Sequence, residues 1–580
     1  MQRLQRVHAR NDEIAAMFDH IGDLLEIEAA NPFRVRAYRN AARTLRGLKE
    51  QVADMLAQGA DLSELPGIGK DLAGKIREVT EKGRIALQRE LERQMPGSVT
   101  ELLRVPGLGP KRVRMLHDKL GIVRLDQLKK AAEAGKLAAL PGFGRAIEQR
   151  VLGGLAAPMA AATRMLLAVA KAEADALVAY LRQAPGIDQV IVAGSYRRAR
   201  ETVGDLDILA TAKASAKVIA HFATYDRVRD VLASGPTRAT VTLRNNLQVD
   251  LRVVAKESYG AALVYFTGSK AHNIRLRRMG QDAGLKINEY GVYRGRQRIA
   301  GATEASVYRS IGLPYIAPEL REERGEIEAA KAHALPKLVE PGDLRGDLHC
   351  HTNASDGNAS LADMASAARA AGLEYLAITE HSRHLAMTHG LDPRRLAKQL
   401  DEIDRLNGTL KDIVLLKGVE VDILEDGSLD LPDSVLGKLD LVIGALHSHL
   451  TLPAEKQTAR ILRAMDHRHF TILAHPSGRL LGSREASAFD VARIIRAAKE
   501  RGCFLELNAQ PERLDLTDVH CQAARAEGVL ISIASDAHSI GDFANLGFGV
   551  GQARRGWLEK ADVLNTRTLA KLKPLLARTM

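Results

Sequence analysis

From residue 341 onward, short apolar runs alternate with stretches of helical pattern: YLAIT, IVLLKGVEV, LDLVIGALH, FTILAH, CFLELN and VLISIAS. Strands that are apolar on both faces and separated by helices must be covered on both sides. That predicts a parallel sheet or barrel with its site at the strand carboxyl ends. Polar residues gather at those ends. ITEHS brings Glu380 and His381, KGVEVD brings Glu420, ALHSHL brings His447 and His449, LAHPSG brings His475, and ASDAHS brings Asp536 and His538. GDLHCHTNASDG, residues 346–357, adds His349, His351 and Asp356. A single histidine after a strand is usually a hydrogen-bonded polar residue, but strand ends that each offer His, Asp or Glu form a ligand set. Neutral imidazoles and carboxylates suit Zn²⁺, Mn²⁺ or Fe²⁺, and several bridged ions could activate water against a phosphodiester.

The charge is split along the chain. Residues 341–580 hold 29 Lys and Arg against 32 Asp and Glu, whereas the first 340 residues hold 54 against 39. The basic region is the expected polyanion binder. At 580 residues the chain is too long for one core. No apolar run approaches the roughly 18–20 residues of a membrane span, and the opening MQRLQRVHAR has no apolar segment behind it, so the expected location is cytoplasmic and nucleoid-associated. Cys350, Cys503 and Cys521 are too few and scattered for a disulfide framework and read as buried small apolar residues.

A single pattern recurs three times within the basic region: LPGIGKDLAGKI at 65–76, VPGLGPKRVRML at 105–116 and LPGFGRAIEQRVL at 140–152. The pairs Gly67 and Gly69, Gly107 and Gly109, and Gly142 and Gly144 permit a tight turn into a basic helix. The backbone amides at that helix N-terminus attract a phosphate. The pattern resembles the helix-hairpin-helix motif, which implies contact with the DNA backbone.

In GSYRRARETVGDLDILA, Asp205 and Asp207 stand two apart in a strand and share a face. Asp250, in LQVDLRVV, can supply a third carboxylate from a neighbouring strand. Three convergent carboxylates repel one another unless cations intervene, and two Mg²⁺ or Mn²⁺ ions there would suit in-line phosphoryl transfer. Gly194 and Ser195 with Arg198 offer a turn, a hydroxyl and a guanidinium to a triphosphate. Together with YFTGSKAHNIRLR at 265–277 and INEYGVY at 287–293, these motifs resemble the family X DNA polymerases over roughly residues 1–318. The resemblance implies a nucleotidyltransferase palm in which Asp205 and Asp207 bridge both ions, while Asp250 helps the catalytic ion and receives or relays the primer 3′-OH proton. Ser195, Arg198 and Arg164 would hold the triphosphate of a dNTP. Tyr265, Phe266 and Gly268 would line the sugar pocket, with Asn273 and Arg277 beside the nascent pair and template. The resemblance also puts Lys75 at the position of a Schiff-base lyase lysine, with Arg34, Tyr38 and Lys70 around the 5′-phosphate of a gap. Two departures stand out: Asp71 where a basic residue is expected, and Gln248 in place of an arginine.

The strand-end set in turn resembles the polymerase and histidinol phosphatase (PHP) domain over roughly residues 341–580. That resemblance implies a distorted β/α barrel with three ions, Mn²⁺, Zn²⁺ or Fe²⁺, held by His349, His351, Asp356, His381, Glu420, His447, His475, Asp536 and His538. Glu380 departs from the commoner TDH, and His449 and His389 are candidates either to support a ligand or to contact substrate. Both resemblances occur in this order in bacterial family X polymerases. The expected architecture is multidomain: a lyase-like helical domain at 1–95, a fingers-like domain at 96–155 carrying two further helix-hairpin-helix motifs, an α/β palm at 156–262, a thumb-like subdomain at 263–318, a linker at 319–340 and the PHP barrel at 341–580. The expected activity is gap-filling DNA synthesis with a metal-dependent 3′-5′ exonuclease, acting in base excision repair as a monomer on gapped or primer-template DNA. An alternative keeps the barrel as a structural or DNA-positioning module.

Overall fold

The computed structural model describes residues 11–48, 51–65, 67–105, 108–144, 147–148, 151–152, 164–384 and 388–580. The chain divides into two compact units, residues 1–163 and 164–580.

The first unit is helical. Asn11–Ile27 and Pro32–Gly47 form an antiparallel pair, separated by Asn31, whose side chain accepts from the Phe33 amide at 2.9 Å, and by Pro32 at the first helical position. Their apolar faces close over Phe18, Leu24, Ala41 and Leu45, and the helix Lys70–Lys82 adds Leu72, Ile76 and Val79 to that core. A second core gathers Val113 and Leu116 of the helix Pro110–Leu120 with Leu128 and Phe143.

In the second unit, strands are numbered along the chain. β1 (Met165–Leu166) pairs antiparallel with β3 (Thr202–Val203). A five-stranded sheet has the order β2 (Ile187–Val192), β4 (Asp205–Ala212), β7 (Gln248–Val254), β6 (Arg238–Leu243), β5 (Val228–Ser234). All its pairings are antiparallel except β4 with β7. A small antiparallel sheet of β8 (Lys286–Asn288), β9 (Gly291–Arg294) and β10 (Gln297–Ala300) follows the helices Tyr259–Thr267 and Lys270–Asp282.

The remaining strands form one parallel sheet in sequence order: β11 (Gly346–Asp347), β12 (Tyr375–Ile378), β13 (Val414–Asp422), β14 (Leu441–Ala445), β15 (Ile472–Leu473), β16 (Phe504–Asn508) and β17 (Ile531–Ala534). The two edges are drawn together by a parallel bridge between Cys350 and Ala537 and by Ser535, whose amide donates to Asp347 at 3.1–3.2 Å. Alternate strand residues feed two cores. Tyr375, Ala377, Leu416, Leu441 and Ile443 pack with Leu572 and Leu576 of the last helix, while Leu376, Ile378, Leu415 and Val442 join the core that holds the covering helices. All three cysteines are buried and free.

Residues 319–340, expected as a linker, are instead folded. Glu326–Lys331 is a helix, and Leu320, Ile327, Ala330 and Leu338 enter the core that contains Tyr308 and Val307. The charges that suggested a solvated linker are paired with residues outside the segment. Arg321 donates to Glu304 at 2.8 Å, and Glu326 meets His272 Nδ1 at 2.7 Å, with all four side chains buried. Among the described residues no helix is long and apolar enough to cross a membrane.

Candidate metal centres and nucleotide loop

The parallel register of β4 and β7 sets Asp207 directly opposite Asp250 and Asp205 opposite Gln248. Strand alternation puts Asp205 on the same face as Asp207, so three carboxylates share one small region. Burial, reinforced by the charges of Asp205 and Asp250, pushes the Asp207 carboxyl up to about 7. Asp205 is more exposed and is raised in the same direction, by partial burial and then by Asp250. Asp250 is fixed from both sides: Oδ1 accepts from Thr240 Oγ1 at 2.5 Å and Oδ2 from the Gln248 amide at 2.8 Å. The residue that departs from the family pattern therefore orients the third aspartate through a neutral hydrogen bond. Carboxylates held this close and partly neutralised by protons fit a pair of divalent cations.

The helical turn Gly194–Arg197 leads into this centre. Gly194 has φ +63°, and a Cβ on it would lie 2.5 Å from Asp207 Oδ2, so only glycine lets the turn approach the carboxylate. Arg198 Nε donates to Glu322 at 3.0 Å, and its Nη1 donates to the Thr267 carbonyl. Arg164 clasps Thr202, donating from Nε to Oγ1 at 2.9 Å and from Nη2 to the carbonyl at 2.5 Å, and adds positive potential beside Asp205. Gly268 lies against Arg198, and the Arg252 guanidinium covers the Phe266 ring at 4.5 Å. Tyr265 is partly exposed and packs edge-on against Phe266; Asn273 donates to the Tyr265 carbonyl at 2.6 Å, and Arg277 is exposed one helical turn further on.

In the barrel all the predicted ligands converge at the strand carboxyl ends. Glu420 is the hub. Its Oε1 lies 2.8 Å from His475 Nε2 and 3.3 Å from His447 Nε2, and its Oε2 lies 2.8 Å from His381 Nδ1, 3.5 Å from His349 and 3.6 Å from His351. Asp536 sits 3.2 Å from His351 Nε2 and 3.5 Å from His349 Nε2, and Asp356 sits 3.4 Å from His381 and 3.5 Å from His538. Three groups have ligand atoms close enough to surround one ion each: His351, Asp356, His381 and His538; His349, His351 and Asp536; His381, Glu420 and His447. His475 and Asp536 hold φ of +24° and +50°, strained values found at ligand positions. The buried ring nitrogens His351 Nδ1 and His475 Nδ1 have no hydrogen-bond partner, as expected of groups that serve a cation. Burial, with the His381 charge added, drives His351 down to about 3, so it is a neutral donor.

Residues that the sequence pattern did not single out hold these ligands in place. Glu506 in β16 accepts from His349 Nδ1 at 2.6 Å, Asp422 in β13 accepts from His447 Nδ1 at 2.9 Å, and Asn508 donates to Asp536 at 3.0 Å. Such partners fix ring orientation and raise ligand basicity. The available signal was an acid inside CFLELN, too costly in an apolar strand unless paired. Glu380 turns away from the cluster to Thr352, Ser355 and Gln399, while His449 and His389 are exposed, His449 facing Glu425 at 3.8 Å.

Family models match along the chain in this order: a helix-hairpin-helix domain over residues 9–85, a SAM-like helix-hairpin-helix tandem over 99–156, the DNA polymerase beta thumb over 262–322 and the PHP domain over 347–510. The DNA polymerase/3′-5′ exonuclease PolX of Bacillus subtilis (strain 168) is 37% identical over 570 residues, covering 98% of this chain and 99% of that protein. The chain belongs to the PolX family. Its barrel alone is also similar to shorter proteins. A probable phosphatase of Thermoanaerobacter sp. (strain X514) is 30% identical over 40% of this chain and 93% of its own length, and one of Acetivibrio thermocellus is 29% identical over 37% and 87%.

In the helical unit of this PolX chain, Gly67 has φ +77° and Gly142 φ +78°, and Gly69 and Gly109 precede the first residues of the helices Lys70–Lys82 and Pro110–Leu120. These are the turns that offer helix N-termini to phosphates. Gly144 also has positive φ; Gly107 lies outside the described residues. Arg34 and Lys70 are exposed, whereas the Tyr38 hydroxyl is buried without a hydrogen-bond partner and pushed up to about 12, chiefly by burial. Lys75 is mostly buried, and its Nζ donates to Asp71, so the amine would have to leave that ion pair before attacking an aldehyde.

Proposed function

We propose that the chain is a gap-filling, template-directed DNA polymerase with a metal-dependent 3′-5′ exonuclease in its PHP barrel, working in DNA repair such as base excision repair. The observation that carries the polymerase reading is the register of β4 and β7, which gathers Asp205, Asp207 and Asp250 beside a glycine turn bearing Ser195 and Arg198. Asp205 and Asp207 would hold two Mg²⁺ or Mn²⁺ ions and Asp250 one of them; when bound, the ions supply charge neutralisation for phosphoryl transfer. Asp250, steadied by Thr240 and Gln248, receives or relays the primer 3′-OH proton. Ser195, Arg198 and Arg164 hold the dNTP triphosphate, and Tyr265, Phe266, Gly268, Asn273 and Arg277 position the sugar and nascent pair.

The barrel reading rests on the convergence of its histidine and carboxylate ligands in three overlapping groups, which support three ions of Mn²⁺, Zn²⁺ or Fe²⁺. When bound, these ions supply water that ionises near neutral pH. The barrel's own residues fix the ligand tautomers through Glu506 and Asp422, for exonuclease action and for trimming 3′ ends or incising at abasic sites. A lyase reaction at Lys75 gains no support from its pairing with Asp71.

The test is a 5′-labelled gapped duplex incubated with Mn²⁺ or Mg²⁺, with and without dNTPs. Asp205→Ala should abolish lengthening and spare shortening, and His349→Ala with His351→Ala should do the reverse. Full extension by Asp205→Ala, or undiminished digestion by the double variant, would overturn the corresponding assignment.

A further inference from the structure

The barrel helix Leu546–Arg555 packs directly on the loop that follows the Gly194–Arg197 turn. Phe548 joins the palm core, and a Cβ on Gly551 would lie 3.1 Å from that of Ala199. At the end of this helix Arg555, 2% exposed, makes three directed contacts. It donates from Nη1 to the Arg198 carbonyl at 2.8 Å and to Glu322 at 2.9 Å, and from Nη2 to Asp518 at 2.6 Å. Glu322 in turn receives Arg198 Nε, and Asp518 receives Arg324 at 2.9 Å. The result is an alternating chain of charges, Arg198, Glu322, Arg555, Asp518, Arg324, running from the nucleotide loop through the barrel residues Arg555 and Asp518 and back to the segment 319–340. Burial would raise the Glu322 carboxyl, but Arg555, Arg198 and Arg200 outweigh it and hold it down at about 2. A second clasp lies beside it: Arg479, shortly after the ligand His475, donates to Glu201 at 2.6 Å, and Gln552 donates to the same carboxylate at 2.6 Å.

We propose that Arg555 is a positioning residue for nucleotide incorporation, through which the PHP barrel holds Arg198 ready for the incoming triphosphate independently of the barrel's own metal chemistry. This rests on the assignment of Arg198 to triphosphate binding. Arg198 is anchored at Nε and Nη1, so the plane of its guanidinium is set before the nucleotide arrives, and ordering a long side chain in advance removes that cost from binding. Arg555 keeps the anchor balanced. With its charge shared mainly between Arg555 and Arg198, Glu322 orients Arg198; without Arg555 the buried carboxylate would be left to Arg198 and the more distant Arg200, at 3.8 Å, and would compete with phosphate for Arg198. A lysine cannot replace the fork, because an ammonium cannot span Glu322, Asp518 and the Arg198 carbonyl in one geometry.

The experiment uses the full-length chain and measures KM and kcat for a single dNTP on gapped DNA, with exonuclease rate on single-stranded DNA read from the same preparation. Arg555→Lys should raise the dNTP KM by about tenfold, leave kcat within about twofold and leave digestion unchanged, the pattern of lost uniform binding. Glu322→Gln, an isosteric change, should move KM in the same direction, and the double variant should be no worse than the stronger single variant, because both act on one chain of contacts. Arg198→Ala separates the two levels. A raised KM there with normal KM in Arg555→Lys and Glu322→Gln would overturn the positioning role and leave the triphosphate assignment standing. Unchanged KM in Arg198→Ala would overturn both. If Arg555→Lys lost digestion and extension together, Glu322→Gln would decide: a KM increase with normal digestion supports the proposal, and any other result overturns it.

Discussion

Asp207→Asn should stabilise the metal-free palm while destroying polymerisation. The folded site raises the Asp207 carboxyl from its ordinary value of 3.8 to about 7, chiefly by burial and then by Asp205 and Asp250. A group with a raised folded value favours folding fully when protonated in both states, below about pH 4. That contribution is lost as pH climbs through 7, because ionisation then costs more in the folded state than in the unfolded one. The full displacement corresponds to about 4 kcal/mol. Because Asp207 retains some solvent and Asp205 and Asp250 share its site, about 2–3 kcal/mol is the expected penalty above pH 7. Hydrogen–deuterium exchange of β4 and β7, corrected for intrinsic exchange rates and run in EDTA, reports the local opening free energy without assuming that so large a chain unfolds in one step. Wild-type protection should fall by about 30- to 150-fold between pH 4 and 8, Asp207→Asn should show a much flatter profile, and excess Mg²⁺ should restore the wild type alone. Equal slopes in the two proteins, or wild-type protection that rises with pH, would refute the reasoning.

Gly194→Ala should cost at least about 100-fold in dNTP incorporation with little change in exonuclease rate, because its Cβ collides with Asp207 and its φ of +63° becomes strained; single-turnover extension checks this. Glu506→Gln should raise the Mn²⁺ concentration needed for half-maximal digestion by about 10- to 100-fold while leaving extension intact, since His349 loses its anionic partner at 2.6 Å. Stripping the barrel metals should expose its histidines to protons. Although burial opposes it, neighbouring carboxylates hold His381 up to about 10 and His447 and His538 to about 9. Metal uptake must therefore release protons, so Mn²⁺ affinity should climb from pH 7 to 9, with calorimetric heats that depend on the buffer's ionisation enthalpy.

The regions of the fold that were legible were those where local pattern and tertiary demand agree. LQVDLRVV alternates in burial along β7, as a strand covered on one face must, and GDLDILATA does so only at its start before becoming buried on both faces along β4. β5 was not singled out because VRDVLAS is exposed along most of its length, so no apolar period marks it; β11, only two residues long, carries no period and was legible only from the His and Asp residues that follow it. The short β8–β10 ribbon is likewise specified by its packing on neighbouring helices more than by its own sequence.

The candidate site divides along a similar physical line. Residues that touch a metal or phosphate are restricted to a few chemical types, so candidates for that role such as His349, Glu420 or Asp207 can be read from type and strand position. Residues that act through another side chain face no such restriction. Glu322 and Arg555 sit far apart in sequence, and each alone looks like one more charge in a polar stretch; PELREERGE invites the reading of a linker. Only folding reveals that the charges in this segment meet partners elsewhere in the chain, His272, Glu304, Arg198, Asp518 and Arg555, at 2.7–3.0 Å in a nearly dry interface. There each unpaired member would carry the full penalty of a buried charge. That penalty makes the segment structural, and it is the reason the proposed path from the barrel to Arg198 should respond to a change as small as arginine to lysine.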